Sequence, residues 1–287
     1  MTIDLHTHSA WSDGTDSVPD LVAAARRAGL ASIALTDHDT MDGVDEAQRL
    51  AAQTGVATLR GMEMSSHLMT ENAEHSVHVL AYGCRSDDAG LAALLVAVRQ
   101  ARRTRVPHML ERLAGIGLPL TLAEVKACSA RAVTTGRPHI ADAMVARGYV
   151  ADRDEAFRDF LDEGGPAYVG RYTPEVAEAV DRINQAHGVA VLAHPWGRGN
   201  HQVLTGDVIA RLASANGLYG IEVDHVDHTP ADRQALTDLA HDLGLVMTGG
   251  SDYHGTGKTR NPLGVCRTAY DVYTAIRRDI EERGGQL

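Results

Sequence analysis

Cysteine, aromatic residues, positive charge and long apolar runs are all scarce in this chain, and each shortage removes a class of protein. Its three cysteines, Cys84, Cys128 and Cys266, are widely spaced and form neither a CxxC pair nor an even disulfide framework. That pattern points to a reducing, cytoplasmic setting rather than to a stapled secreted domain. Aromatic residues make up only 4% of the chain, so a core must be built from Ala, Val, Leu and Ile. A net charge of −11 leaves no broad basic surface for gripping long nucleic acid. A phosphorylated small molecule stays compatible with that charge, because a buried metal cluster supplies positive charge locally. No run approaches the roughly 20 apolar residues of a membrane span. The N-terminal residues lack the charged and apolar regions of a signal peptide. The expectation is a cytoplasmic protein with no membrane partner.

What the chain does have is a repeated local pattern. A helical segment stops at glycine, a short apolar run follows, and His or Asp closes it. Segments 21–28, 176–187 and 235–243 stop at Gly29, Gly188 and Gly244. The runs 32–35, 189–193 and 245–248 then lead to Asp37-His38-Asp39, His194-Pro195 and Ser251-Asp252-Tyr253-His254. Further strand candidates are 3–8, 57–64, 77–82 and 220–223. Seven strands alternating with helices predict an α/β fold with a parallel sheet. In α/β barrels functional groups gather at the carboxyl ends of the strands, and His8, His38, Glu63, His194 and His254 all fall there. Seven repeats make an irregular barrel, one strand short of the eight-stranded form. Residues 87–167 interrupt the pattern with helical segments alone, which predicts a small helical insertion between the fourth and fifth strands. Its basic run, Arg99, Arg102, Arg103 and Arg105, reads either as a solvated helix face or as a contact for an anionic substrate.

The candidate metal ligands are His6, His8, Asp13, His38, Glu63, His78, His194, Asp252 and His254. Residues two apart on a strand share a face, so His6 and His8 converge, as do Asp252 and His254. Imidazole and carboxylate together suit zinc, manganese or iron. Glu63 ends an apolar run, where a carboxylate is costly without a partner, and bridging two metals would resolve that cost. Asp37 and Asp39 read as hydrogen-bond partners that orient ligands. His187 and His241 sit in last helical turns and read as structural. Glu222, His225 and Lys258 follow strands without a decided role.

The motifs DLHTHSAWSDG, ALTDHDT, GMEMSS, HVLAYG, LAHP and GGSDYH make the chain resemble, over nearly its whole length, the PHP (polymerase and histidinol phosphatase) superfamily of metal-dependent phosphoesterases. The resemblance implies a distorted seven-stranded (β/α)7 barrel formed by 1–86 and 168–287, with the helical domain 87–167 inserted. It also implies two or three divalent ions (manganese, iron or zinc). Carried over by position, His6, His8, Glu63 and Asp252 hold one ion. Glu63 bridges to a second with His78 and His194, and Asp13, His38 and His254 hold a third. Many PHP proteins have histidine where this chain has Asp13.

Within the superfamily, Gly136-Arg137-Pro138-His139-Ile140-Ala141 and Ala167-Tyr168-Val169 are similar to a bacterial branch. That branch removes the 3′-phosphate of nucleoside 3′,5′-bisphosphates to give products such as AMP, and some members trim short RNA from the 5′ end. On this resemblance a metal-activated hydroxide attacks phosphorus while metals and cationic side chains stabilise its oxygens. Arg137, His139 and Arg198 contact phosphate, Tyr168 or Tyr172 walls the base, and His254 or His139 protonates the leaving alcohol. The alternatives are a 5′-to-3′ exonuclease on short oligonucleotides, a histidinol-phosphate-type phosphatase, and a non-catalytic regulatory metal module. The insertion and Asp13 weigh against the histidinol-phosphate reading, and nine filled ligand positions weigh against the regulatory one.

Overall fold

Seven strands pair in chain order: β1 (Thr2–Thr7), β2 (Leu30–Leu35), β3 (Ala57–Met69), β4 (Glu74–Tyr82), β5 (Val189–Leu192), β6 (Gly220–Asp224) and β7 (Val246–Gly249). The computed structural model describes residues 1–71, 73–129 and 132–287, and for Arg198 the backbone alone. Strands β1, β2 and β5 are buried along almost their whole length, which explains why they read as continuous apolar runs rather than alternating ones. The two outer strands approach at their carboxyl ends, where the His8 amide donates to the Tyr253 carbonyl at 2.9 Å. This is the seven-stranded α/β architecture expected from the sequence.

Helices α1 (Val18–Arg27), α2 (Val44–Thr54), α7 (Val176–Gln185), α8 (Gly206–Asn216), α9 (Pro230–Leu243) and α10 (Tyr270–Glu282) flank the sheet. Their ends follow sequence chemistry. Ser17 accepts from the Asp20 amide at the start of α1, and Thr229 forms a reciprocal capping box with Asp232 on α9.

The expected parallel sheet holds on both flanks and fails in the middle. Strand β4 runs antiparallel to β3 and to β5. The reason is local: Thr70 and Ala73 close a tight turn (amide to carbonyl, 2.9 Å) with no room for a crossover helix. The reversal matters for the site. Tyr82, the last residue of β4, pairs with Val189, the first residue of β5, so the chain leaves β4 at the end opposite the polar clusters.

Helix α3 (Ala89–Gly115) brings the chain back. At 1.5 Å per residue, its 27 residues span about 40 Å. Its first half packs Leu91, Leu94, Leu95 and Val98 into the core around the sheet, alongside Val180 and Ile183 of α7. Its second half contributes Val106, Met109, Leu110 and Leu113 to a separate core. That second core is completed by Val125 of α4 (Leu122–Ala127), Ile140 and Met144 of α5 (Arg137–Ala146), Ala156 of α6 (Arg153–Ala156) and Leu161. Pro107 lies just inside the half that packs into the second core, next to Val106. Arg102 and Arg105 are buried where the helix passes from one core to the other.

Candidate metal centre

The nine predicted ligand side chains converge at the carboxyl ends of the parallel strands. His6 and His8 project from the end of β1 with their Nε2 atoms 3.1 Å apart. Each also faces Glu63 (3.4 and 3.2 Å to Oε2) and Asp252 (3.5 and 3.4 Å to Oδ1). The other Glu63 oxygen lies 2.8 Å from His78 Nδ1 and 3.1 Å from His194 Nε2. Asp13 lies 3.3 Å from His254 Nε2, 3.6 Å from His38 Nε2 and 3.7 Å from His8 Nδ1. Three groups have donor atoms close enough to share an ion: His6, His8, Glu63 and Asp252; His38, Glu63 and His78; and His8, Asp13, His38 and His254. His8 and His38 each stand in two groups, whereas the expected grouping gave each to one.

The donor set fits divalent cations. Nitrogen and carboxylate oxygen lone pairs converge in a buried space, where direct contact between two imidazole nitrogens leaves too few protons to bridge every pair. His8 Nδ1 and His38 Nδ1 are buried without a hydrogen-bond partner; the latter lies 3.2 Å from Glu63 Oε2 but out of line for a bond. Burial would raise the Asp13, Glu63 and Asp252 carboxyls, yet the facing imidazoles and Lys258 hold all three well below the ordinary carboxylate value. Burial pushes His194 and His254 down to about 4, which keeps their lone pairs free. It also acts against charge on His8, but Asp252 and Glu63 outweigh it and bring His8 to about 9.

A ring of partners fixes these ligands. Glu222, fully buried, takes His6 Nδ1 at 3.1 Å and the His194 amide at 2.8 Å. His225 accepts from the Asp227 amide through Nδ1, so its Nε2 carries the proton and faces Asp252 Oδ2 at 3.6 Å. Asp37 gathers Ser9 and Ser12 beneath the Asp13 loop, and Asp39 takes Ser65 and Arg102. Among the described residues neither aspartate bonds a predicted ligand side chain directly; Asp37 acts through Ser12, whose hydroxyl also lies 3.2 Å from Asp13 Oδ1, and Asp39 stands beside His38. Glu222 and His225 had only their strand-end position to mark them. Among the described residues, Asp39, His194 and Asp252 are three of the four non-glycine residues at positive φ (56°, 31° and 54°). Such backbone is sparsely populated and clusters at functional sites.

Seven of the nine side chains open onto one cavity of about 1060 Å³, whose lining also carries Arg102, Arg105, Arg137 and Arg171. Arg105 is 6% exposed and its Nε has no partner. Among the described residues its one hydrogen bond runs from Nη1 to the Val169 carbonyl at 3.4 Å, and no carboxylate faces it. Burial, then Arg137, Arg171 and Arg102, push its guanidinium down to about 8. Burial and Arg102 push Arg171 to about 9. The basic run on α3 is therefore not a solvated face: Arg102 and Arg105 turn inward, and Arg103 alone is exposed.

The PHP domain pattern matches residues 4–103. Over 98% of its length the chain is 32% identical to a 3′,5′-nucleoside bisphosphate phosphatase of Chromobacterium violaceum, covering 97% of that protein. The chain belongs to the PHP family. It is a metal-dependent phosphoesterase, a hydrolase of ester bonds. A relative from Haemophilus influenzae, a 5′-3′ exoribonuclease, is 32% identical over 88% of this chain and 89% of its own. A Bifidobacterium adolescentis structure described as a metal-dependent phosphoesterase superposes with a TM-score of 0.90 at 35% identity, covering 96% of each chain. No helix among the described residues of this PHP protein is long and apolar enough to cross a membrane.

The other predicted site residues divide. Arg137 lines the cavity, its guanidinium between Phe157 (5.4 Å to the ring centre) and Tyr168 (5.7 Å). Tyr168 lines it too, whereas Tyr172 is exposed and does not. His139 is buried off the cavity, where its Nδ1 accepts from the Gly136 amide at the start of its own helix. His254 Nδ1 donates to the Asp252 carbonyl at 2.8 Å, so its other nitrogen offers a lone pair, not a proton, toward Asp13. The side chain of Arg198 lies outside the described residues.

Proposed function

We propose that this enzyme removes the 3′-phosphate from nucleoside 3′,5′-bisphosphates, leaving a nucleoside 5′-monophosphate. One observation carries the reading: a single cavity is lined both by the ligand cluster, which would draw an anion once it holds metal, and by a group of arginines. The arginines are buried (Arg102 and Arg105) or half-buried (Arg137 and Arg171), and among the described residues Arg105 has no acidic partner, whereas Arg102 and Arg137 face Asp39 and Asp162. A buried cation without a counter-charge is costly, and a ligand phosphate would supply the missing charge through bidentate, charge-assisted hydrogen bonds. A substrate with two separated phosphates meets both groups. Histidinol phosphate would bring an ammonium group to the arginines, which repel it.

In this reading His6, His8, Glu63, Asp252, His78, His194, Asp13, His38 and His254 hold two or three divalent ions, of manganese, iron or zinc. Such ions supply a nucleophile at neutral pH and offset charge on the phosphoryl oxygens. The chain's own residues do the rest. Glu222 holds His6 with Nε2 toward the centre, Arg105 and Arg137 bind the second phosphate, and Tyr168 offers an aromatic face beside it. Proton delivery by His139 or His254 finds no support in their hydrogen bonds.

A second reading is favoured by the size of the cavity, which at about 1060 Å³ matches or exceeds the upper end of small-molecule pockets, roughly 300–1,000 Å³. A short 5′-phosphorylated oligonucleotide would place its terminal phosphate on the same arginines and its first internucleotide linkage at the centre. The test is release of phosphate from adenosine 3′,5′-bisphosphate with added manganese, compared with 3′-AMP and histidinol phosphate, and release of AMP from the dinucleotide pApA. We expect strong preference for substrates carrying the 5′-phosphate. Turnover of histidinol phosphate with none of the bisphosphate would overturn the proposal.

A further inference from the structure

We infer that Arg153 is a positioning residue: it fastens the helical segment between β4 and β5 to Asp13 and to the loop behind His254. It thereby sets the geometry of the group His8, Asp13, His38 and His254. The inference rests on the reading above that this group holds a divalent ion.

Arg153 opens the short helix α6, whose own start is already capped by Asp152 through the Glu155 amide at 2.9 Å. The guanidinium is free for other work and is used on three sides. Its Nε and Nη2 grip both oxygens of Asp142, on α5, at 2.6 and 2.7 Å. Its Nη1 reaches out of the helical segment to the backbone carbonyl of Asp13 at 3.1 Å. On the third side it lies against Gly257, where any side chain would collide with Nη1 and Cζ.

The two loops it touches are already stitched together. The Thr15 amide donates to the His254 carbonyl at 3.1 Å, and the Thr256 amide to Thr15 Oγ1 at 2.9 Å. Asp13 and His254, the ligands those loops carry, lie 3.3 Å apart at their donor atoms. Arg153 is thus the point at which the helical segment bears on the Asp13 carbonyl and the loop after His254, while Arg99 and Arg102 bear on Asp39 beside His38 and the Val133 amide on the Trp11 carbonyl. The bidentate pair with Asp142 holds the guanidinium rigidly, so the placement of α5 and α6 is passed to the Asp13 carbonyl.

The test measures manganese bound per chain by equilibrium dialysis and elemental analysis, with a titration for the affinity of the last ion. The parent is compared with R153Q, R153K and D13A, and circular dichroism confirms folding. We expect D13A to lose one ion. R153Q should weaken the last ion by about tenfold or more, as changes to residues that orient ligands do, while the tighter ions are retained. R153K, which keeps the charge but not the fork, should resemble R153Q. Loss of the ion in D13A with unchanged affinity in R153Q refutes the role of Arg153 alone. Full occupancy in D13A refutes the ion-holding reading and the inference with it.

Discussion

Replacing Arg105 with methionine should make the ligand-free protein more stable and its bisphosphate chemistry worse. The side chain is buried, its Nε is unpaired, and three other guanidinium groups crowd it. At 1.36 kcal/mol per tenfold change in acidity, displacement from 12.5 to about 8 sets an upper bound of about 6 kcal/mol on the cost of the charge. Arginine keeps its proton in proteins, so this cost appears as lost stability. Methionine preserves an unbranched apolar stem and gives up one long bond to the Val169 carbonyl. Exchanging buried charge for apolar volume of similar size commonly returns about 1–4 kcal/mol. At about 2–4 °C per kcal/mol, melting should shift upward by several degrees. The same change removes hydrogen bonds to a charged ligand worth about 1.5–3 kcal/mol, so kcat/KM for adenosine 3′,5′-bisphosphate should fall about ten- to a hundredfold. Turnover of 3′-AMP, which lacks the second phosphate, should hardly change. Calorimetry without ligand and a phosphate-release assay on both substrates give the answer. A variant that melts lower and loses activity equally on both substrates would show Arg105 to be a strut of the fold, and the reasoning would fail.

The double variant H6A/H8A should reduce manganese-dependent turnover to background while far-UV circular dichroism stays close to the parent, because both rings end β1 rather than fill its core. Gly250 packs against His6, where an added Cβ would collide with His6 Cβ and sit 2.7 Å from its backbone nitrogen; G250A should cost about 1–3 kcal/mol in a thermal melt and lower activity with it. Burial pushes the His139 imidazole below its ordinary value of 6.5. Its contribution is then complete above that value and is lost as pH falls below it, since the unfolded chain binds the proton more readily. Urea denaturation at about pH 7.5 and about pH 5.5 should therefore show a larger acid loss for the parent than for H139Q.

The ligand set was legible because its signals are local. His6 with His8, and Asp252 with His254, obey the two-residue period of a strand, and Glu63 is conspicuous as a carboxylate ending an apolar run. The direction of β4 was not legible, since the sequence marked only 57–64 and 77–82 as strands, and these read as strands whichever way the second one runs; their extension to Met69 and from Glu74 was not marked. Only the four residues of the turn decide it. Arg102 and Arg105 were hidden for a different reason. Whether a helical arginine meets water or protein depends on a second core, built from Val125, Ile140 and Leu161, that no periodicity within α3 announces. Glu222 and His225 looked like any polar residues after a strand until their partners, His6, His194 and Asp252, were placed beside them.

The shared ownership of α3 has a bearing on how this fold can be cut and grafted. A designer who exchanged residues 87–167 as a cassette would also pull Leu91, Leu94, Leu95 and Val98 out of the core around the sheet and leave a groove along α7. The natural seam lies mid-helix, between Val98 and Val106, at the two buried arginines. If the arginines bind the distal phosphate as proposed, recombination there would change substrate recognition and the joining of the two cores in the same few residues, and a transplanted helical segment would bring its own phosphate-binding group with it.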